Sequence, residues 1–295
     1  MKSRWKLQLQ YQIFLIPILI VYTILMVYPL GKAFYYSLTD FGGYDKNINF
    51  IGFENYIKLF SDTAILSSLG FTIFYALLST ILITLLAIPL AIILDSKFIG
   101  RNFTRAAFFF PAIPSALLLG FVWGFILSPI SSGVLNSVLE TLFNMEPVQW
   151  LSDPTLAKIS TIIVAVWNQT GWHAIIYLAF LQAIPKDYYE AAEIDGASMI
   201  QRFRKITVPL LAPAMTISVM LLLTNGLKVY EMPYALTGGG PGYATYTLTQ
   251  VIIQRGVTES NFSLASALSI VFFVIVLILT LFQVTVMQKR EENIQ

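Results

Sequence analysis

The sequence contains no cysteine and a single histidine, His173. A disulfide framework, a thiol nucleophile and a Cys-based metal site are therefore excluded. One histidine also argues against a His-rich metal centre or a Ser-His-Asp triad. Charge is scarce: 12% of the 295 residues are charged and the net charge is +2, where a soluble domain carries about 25%. So little charge cannot cover a water-soluble globule of this size, and the apolar content excludes a disordered chain. A net charge near zero gives no footprint for nucleic acid. No GxxxxGK[ST] phosphate loop occurs, so the chain has no nucleotide-binding motif of its own. What is abundant is apolar sequence, 57% of residues with a mean hydropathy of +0.73. The reading is an all-α, polytopic membrane protein.

A spanning helix needs about 20 mostly apolar residues. Six stretches meet that demand: Ile13–Leu30, Leu66–Leu94, Phe103–Leu127, Leu156–Leu181, Leu210–Val229 and Leu264–Met287. Pro17, Pro89, Pro111 and Pro114 fall within them, which bundles tolerate where neighbours re-satisfy the backbone. Lys2, Arg4 and Lys6 precede the first run, but that run is too long for a signal sequence and lacks a cleavage site, so it reads as an uncleaved span. No internal repeat or low-complexity segment is visible. The expected organisation is a tail over 1–12, a six-helix membrane domain over 13–287 and a tail over 288–295.

Basic residues set the orientation. With the N-terminus inside, the inner set is Lys2, Arg4, Lys6, Lys97, Arg101, Arg105, Lys186, Arg202, Arg204, Lys205, Lys289 and Arg290, against Lys32, Lys46, Lys58, Lys158, Lys228 and Arg255 outside. Both termini are then cytoplasmic. Trp150, in the outer segment Ser128–Thr155, is expected as an interface anchor.

The most informative stretch is the loop between spans four and five, residues 184–209. Asp187 and Glu190 form an Asp-led capping box that predicts a helix start. Gly196 suits a left-handed C-cap, Ser198 a second helix start, and Pro209 the first turn of the fifth span. The product is two short helices joined at a glycine, suited either to a partner's groove or to lying in the membrane interface.

Glu190-Ala191-Ala192, Asp195-Gly196-Ala197, Phe203, Ile206, Pro209 and Pro213 resemble the EAA signature of binding-protein-dependent ABC importer permeases. Thr237-Gly238-Gly239-Gly240-Pro241, whose composition alone would read as a flexible turn, is similar to a loop of the sugar-type permeases, as are Gly52-Phe53-Glu54-Asn55-Tyr56 and Trp150-Leu151. The resemblance runs from about Ile13 to Val286 and is to the maltose/multiple-sugar group, first permease subunit, the kind resembling the maltose F subunit. It implies a type I ABC importer permease fold and a carbohydrate importer in a bacterial plasma or inner membrane. It implies as partners a second permease subunit in a hetero-dimer, a cytoplasmic ATPase dimer, an extracytoplasmic solute-binding protein and membrane lipid. ATP and magnesium would sit on the ATPase, with no cofactor on this chain. Glu190, Ala191, Ala192, Asp195, Gly196 and Ala197 would couple to the ATPase.

Polar side chains in hydrocarbon face a bundle interior or a cavity. The fourth span carries Trp167-Asn168-Gln169-Thr170-Gly171-Trp172-His173. Asn168 and Trp172 share a helix face by their spacing, as do Gln169 and His173. An amide beside an indole suits a sugar, and amides can equally tie helices together. His173 reads as a packing residue. Lys228 and Glu231 are spaced to pair. Counting along the resemblance puts substrate contacts on Asn168, Gln169 and Trp172 and on Leu222, Asn225, Gly226 and Val229. A stand-alone secondary transporter is the alternative, although it would favour inverted repeats and intramembrane charge. An intramembrane enzyme lacks a catalytic constellation.

Overall fold

A computed structural model of the chain describes residues 14–44, 47–131 and 133–292, with side chains through Val286. The expected tail over 1–12, with Lys2, Arg4 and Lys6, lies outside the described residues, as do Lys46 and the side chains of Lys289 and Arg290. The helices in chain order are α1 Phe14–Ser37, α2 Glu54–Leu59, α3 Thr63–Asp95, α4 Arg101–Phe109, α5 Ala116–Ile126, α6 Val134–Phe143, α7 Pro154–Leu181, α8 Asp187–Ile194, α9 Met199–Arg202, α10 Ala212–Leu227, α11 Glu231–Thr237, α12 Leu248–Ile253 and α13 Phe262–Glu292. No strand forms among the described residues; one antiparallel bridge joins Thr39 and Phe50.

Among the described residues, three helices are by themselves long and apolar enough to span a membrane: α1, α3 and the Phe262–Val286 part of α13. The third expected span is broken within its length, while the fifth, Leu210–Val229, is one helix that starts at a bend after the 184–209 loop. Arg101–Ala112 and Ala116–Ile126 meet at a bend of 92°, and Met199–Leu210 and Ala212–Leu227 at 66°. Pro111, Pro114 and the extended Ser115, whose hydroxyl accepts from Leu118 N–H, account for the first break. At the second, Pro209 sits in the short turn Val208–Leu210, and the first-turn proline of α10 is Pro213. Helix α7 has 28 residues, ample to cross, but its polar stretch keeps it out of the set that qualifies by composition.

The contacts fall into two units, one of residues through Thr63 with Ile252–Val274, the other of Ala64–Val251 with Ile275 onward. In the first, Asn55 is buried and donates to the carbonyls of Ser37 at 2.9 Å and Thr39 at 2.8 Å, and Tyr56 meets Ser37 Oγ at 2.7 Å. The Gly52–Tyr56 motif is thus a clamp on the end of α1. Gly43 has φ +105° and lies against the Phe262 ring, leaving no room for a side chain. Arg255 pairs with both Asp62 and Glu259; these partners, the Glu259 hydrogen bond foremost, hold its guanidinium pKa above the ordinary value.

In the second unit, Ala87, Ala91 and Leu94 of α3 pack with Ala174, Tyr177 and Leu181 of α7 and with Leu211 and Ala214. Small residues bring backbones close: Gly226 of α10 would place a side-chain carbon 2.9 Å from Ala76 Cα, and Gly120 of α5 would place one 2.6 Å from Ala235 Cβ. Trp150 is half-buried, packs with the cluster of Leu119, Val164 and Met232, and donates to Asn136 Oδ1 at 2.9 Å. It braces the loop from within.

Candidate functional site

A cavity of about 480 Å³ opens in the second unit. Helix α7 contributes Asn168, Gln169 and His173, α10 contributes Leu222, Asn225 and Gly226, and the segment after α10 adds Val229. Six of the seven residues expected on a substrate path therefore line one space, and Trp172 does not.

The reason lies in the bend between α4 and α5. Pro111 ends a helical turn, and Pro114, three residues on, has no N–H to offer its carbonyl. The Asn168 amide supplies the donor, at 2.5 Å. Its own oxygen accepts from Gln169 Nε2 at 2.7 Å. Asn168 and Trp172 do share a face, but that face is packed on the broken span: the Trp172 indole stacks on Phe109 with centroids 5.7 Å apart. Gly171 sits between them, where any side chain would collide with the Phe108 carbonyl.

His173 is 3% exposed and its Nδ1 meets Ser218 Oγ at 2.8 Å. It is partnered as a packing residue while reaching the cavity wall. Asn225 is exposed to the cavity and has no hydrogen-bond partner among the described residues. Lys228 and Glu231 both line the cavity and form no ion pair among the described residues. The expected pairing fails because α10 ends at Leu227, with Lys228 as its cap, and Glu231 opens α11, so the helical i,i+3 geometry is absent.

Sequence reasoning missed Tyr75, Ser79 and Ile83 of α3, all lining residues. They recur every four residues on a buried stripe, a signal hidden because α3 is apolar almost all round. Tyr230 was missed as well; it lies in the irregular link before α11, where its ring stacks on Tyr234 at 5.2 Å.

The loop over 184–209 forms a second constellation. Helix α8 ends in a Schellman turn: Gly196, at φ +73°, donates to Glu193 O at 3.0 Å and Ala197 N–H to Ala192 O at 2.8 Å. Ser198 and Gln201 form a full capping box that opens α9. The Asp187–Glu190 box does not form, because Asp187 is already the first helical residue and the cap, Lys186, has no capping side chain. Both acids instead lie in the first turn, where they favour the helix dipole. Glu190, Ala191, Asp195 and Gly196 are exposed, with Ala192 and Ala197 half-buried. Around the turn, Ile194, Met199 and Ile200 present bare apolar side chains, and Arg202 pairs with Glu193 at 3.2 Å.

The Thr237–Pro241 loop is held firmly. Thr237 Oγ1 meets Thr245 Oγ1 at 2.6 Å, the Thr245 hydroxyl is within 2.8 Å of Gly240 O, and Gln250 Nε2 donates to Gly238 O at 2.8 Å. Gly239 packs against Tyr246 with no space for a side chain.

Residues 83–291 match the sequence profile of the binding-protein-dependent transport system inner membrane component. A probable starch degradation products transport system permease of Thermoanaerobacterium thermosulfurigenes is 32% identical, covering 95% of this chain and 94% of its own. A trehalose/maltose transport system permease of Thermococcus litoralis is 33% identical, covering 94% and 93%. Among solved structures, a bacterial ABC transporter involved in import of the acidic polysaccharide alginate shares the fold at TM-score 0.83 and 23% identity, covering 98% of each chain. The same likeness, at TM-score 0.82 and 23% identity over 95% of this chain and 94% of that one, holds for a bacterial alginate ABC transporter in complex with an alginate pentasaccharide-bound periplasmic protein.

Proposed function

Since the chain belongs to the family of binding-protein-dependent transport system inner membrane components, we propose that it is the first of two permease subunits of an ATP-driven carbohydrate importer. Family membership replaces the stand-alone transporter as the reading. The sugar assignment is supported by relatives named for starch products and for trehalose and maltose.

The observation that carries the proposal is the cavity, walled by amides and tyrosines within a bundle of apolar helices. Gln169 and Asn225 offer donors and acceptors for hydroxyl groups, and Tyr75 and Tyr230 offer faces for a sugar ring. Asn168 takes part as the group that fixes the wall, Gly226 keeps α10 close to α3, and Leu222 and Val229 furnish apolar contact. Trp172 has no role in this path.

The exposed pair α8 and α9 is the coupling element. Ile194, Met199 and Ile200 fill a groove on a cytoplasmic ATPase, Glu190 and Asp195 make its polar contacts, and Ala191, Ala192, Gly196 and Ala197 permit close approach. The ATPase dimer binds ATP and magnesium. Its closure draws the coupling helices of the two permeases together and opens the cavity outward to the sugar-loaded binding protein; hydrolysis resets it. Both termini are cytoplasmic.

The test is uptake of a labelled oligosaccharide into vesicles carrying the chain, the second permease, the ATPase and the binding protein. Uptake is expected only with all four and ATP. Accumulation that persists without the ATPase would overturn the reading.

A further inference from the structure

The turn after α3 carries Lys97, and α4 opens with Arg101 and Asn102; with Phe98, Gly100 and Phe103 they line an open concavity of about 540 Å³. The charged groups around it are few. Asp95 accepts from Gln182 Nε2 at 3.4 Å. Arg105 is committed to the fold: its Nε and Nη2 donate to Leu94 O at 3.1 and 2.8 Å, which ties α4 to the end of α3. Lys97 and Arg101 pair with no carboxylate among the described residues. Beside these two cations Phe98, Ile99 and Phe103 are bare, Ile99 entirely so.

Helix α3 is an apolar helix long enough to span, so the turn at its end lies where hydrocarbon gives way to headgroups. At that depth exposed aromatic and aliphatic side chains enter the acyl region, while adjacent Lys and Arg meet phosphate. The structure assigns the concavity over Lys97–Phe103 to the phosphate of an anionic phospholipid, with Lys97, Arg101 and Asn102 on the headgroup and Phe98, Ile99 and Phe103 in the acyl layer. The double charge selects anionic over zwitterionic lipid, and the Arg105 brace holds the turn in shape for it. This assignment needs only that the chain spans a membrane and does not depend on the sugar reading.

The test is lipid retention by native mass spectrometry on the full chain, purified with the subunits that accompany it from nanodiscs of phosphatidylglycerol mixed with phosphatidylcholine. Phosphatidylglycerol should be retained preferentially. Each neutralised cation is expected to weaken retention roughly five-fold, so Lys97→Gln with Arg101→Gln should weaken it about 25-fold. If the double variant does not fold, single Lys97→Gln should still show the roughly five-fold loss, and Lys97→Arg should restore retention. Unchanged retention in a folded Lys97→Gln variant overturns the assignment. So does displacement of the lipid by inorganic phosphate alone, which marks a site for a soluble anion. Loss of the accompanying ATPase with lipid retention intact overturns it too, by marking a protein contact.

Discussion

Asn168 and Pro111, 57 residues apart, are joined by a hydrogen bond of 2.5 Å from the Asn168 amide to the Pro111 carbonyl. The bond repairs the break between α4 and α5 and at the same time sets one wall of the cavity. If the cavity is the proposed path, stability and transport should be lost together at Asn168 and should separate at Asn225, whose amide has no hydrogen-bond partner among the described residues.

Asn168→Ala strands a buried carbonyl, at a cost of about 1–3 kcal/mol. It should lower the melting temperature of the purified chain and impair uptake together. Asn225→Ala should slow uptake with melting unchanged. Equal melting curves for Asn168→Ala and the parent would refute the repair role.

Gly171 has no room for a side chain because the Phe108 carbonyl lies against it. Gly171→Ala must push α7 from α4 and is expected to cost about 1–3 kcal/mol as overpacking. Gly52→Ala is the contrast: its added carbon meets nothing, so its cost is only that of φ +62°, about 1–2 kcal/mol. Thermal melts of the two variants, with yield of folded chain, rank them. Gly171→Ala with parental yield and melting would contradict the close approach.

Gly196→Val places a β-branched residue at φ +73°, with open space around its Cβ. The penalty, about 1–2 kcal/mol, falls on the Schellman turn alone. Membrane insertion and global melting should persist, while transport-coupled ATP hydrolysis drops. Ile194→Asp should do the same without touching the turn. Normal coupling in both variants would remove α8 and α9 from the role proposed for them.

Asn55→Ala removes both donors to the Ser37 and Thr39 carbonyls. A loss of about 1–3 kcal/mol is expected from unsatisfied buried groups. It should appear as faster hydrogen exchange over 37–56, with the cavity residues unaffected. Unaltered exchange there would show that the motif is not a clamp.

Local signals were legible in the residues themselves. Gly196 and Ser198 behave as written because a C-cap and a capping box are decided within a handful of neighbouring residues. The Asp187 box was written in the same code and did not form, since the helix begins one residue earlier than a cap at Asp187 requires. The Lys228–Glu231 pair failed for a like reason: its spacing presumes one helix, and the chain has two. Trp172 was misplaced because a helix face can be read from spacing, whereas what that face meets cannot.

The sequence alone determined that this chain partitions into a membrane, where its apolar runs lie, how α8 ends at Gly196 and α9 opens at Ser198, and which family it joins. Partition is a sum over side chains and caps are short-range, so both are complete in the linear order. The tertiary structure alone decided that Asn168 answers Pro111, that Trp172 stacks on Phe109 instead of facing the cavity, and that Tyr75 and Tyr230 stand in its wall. Those outcomes depend on how closely α7 approaches a bend and on which backbone groups that bend leaves unpaired. Both are set by helices meeting in space.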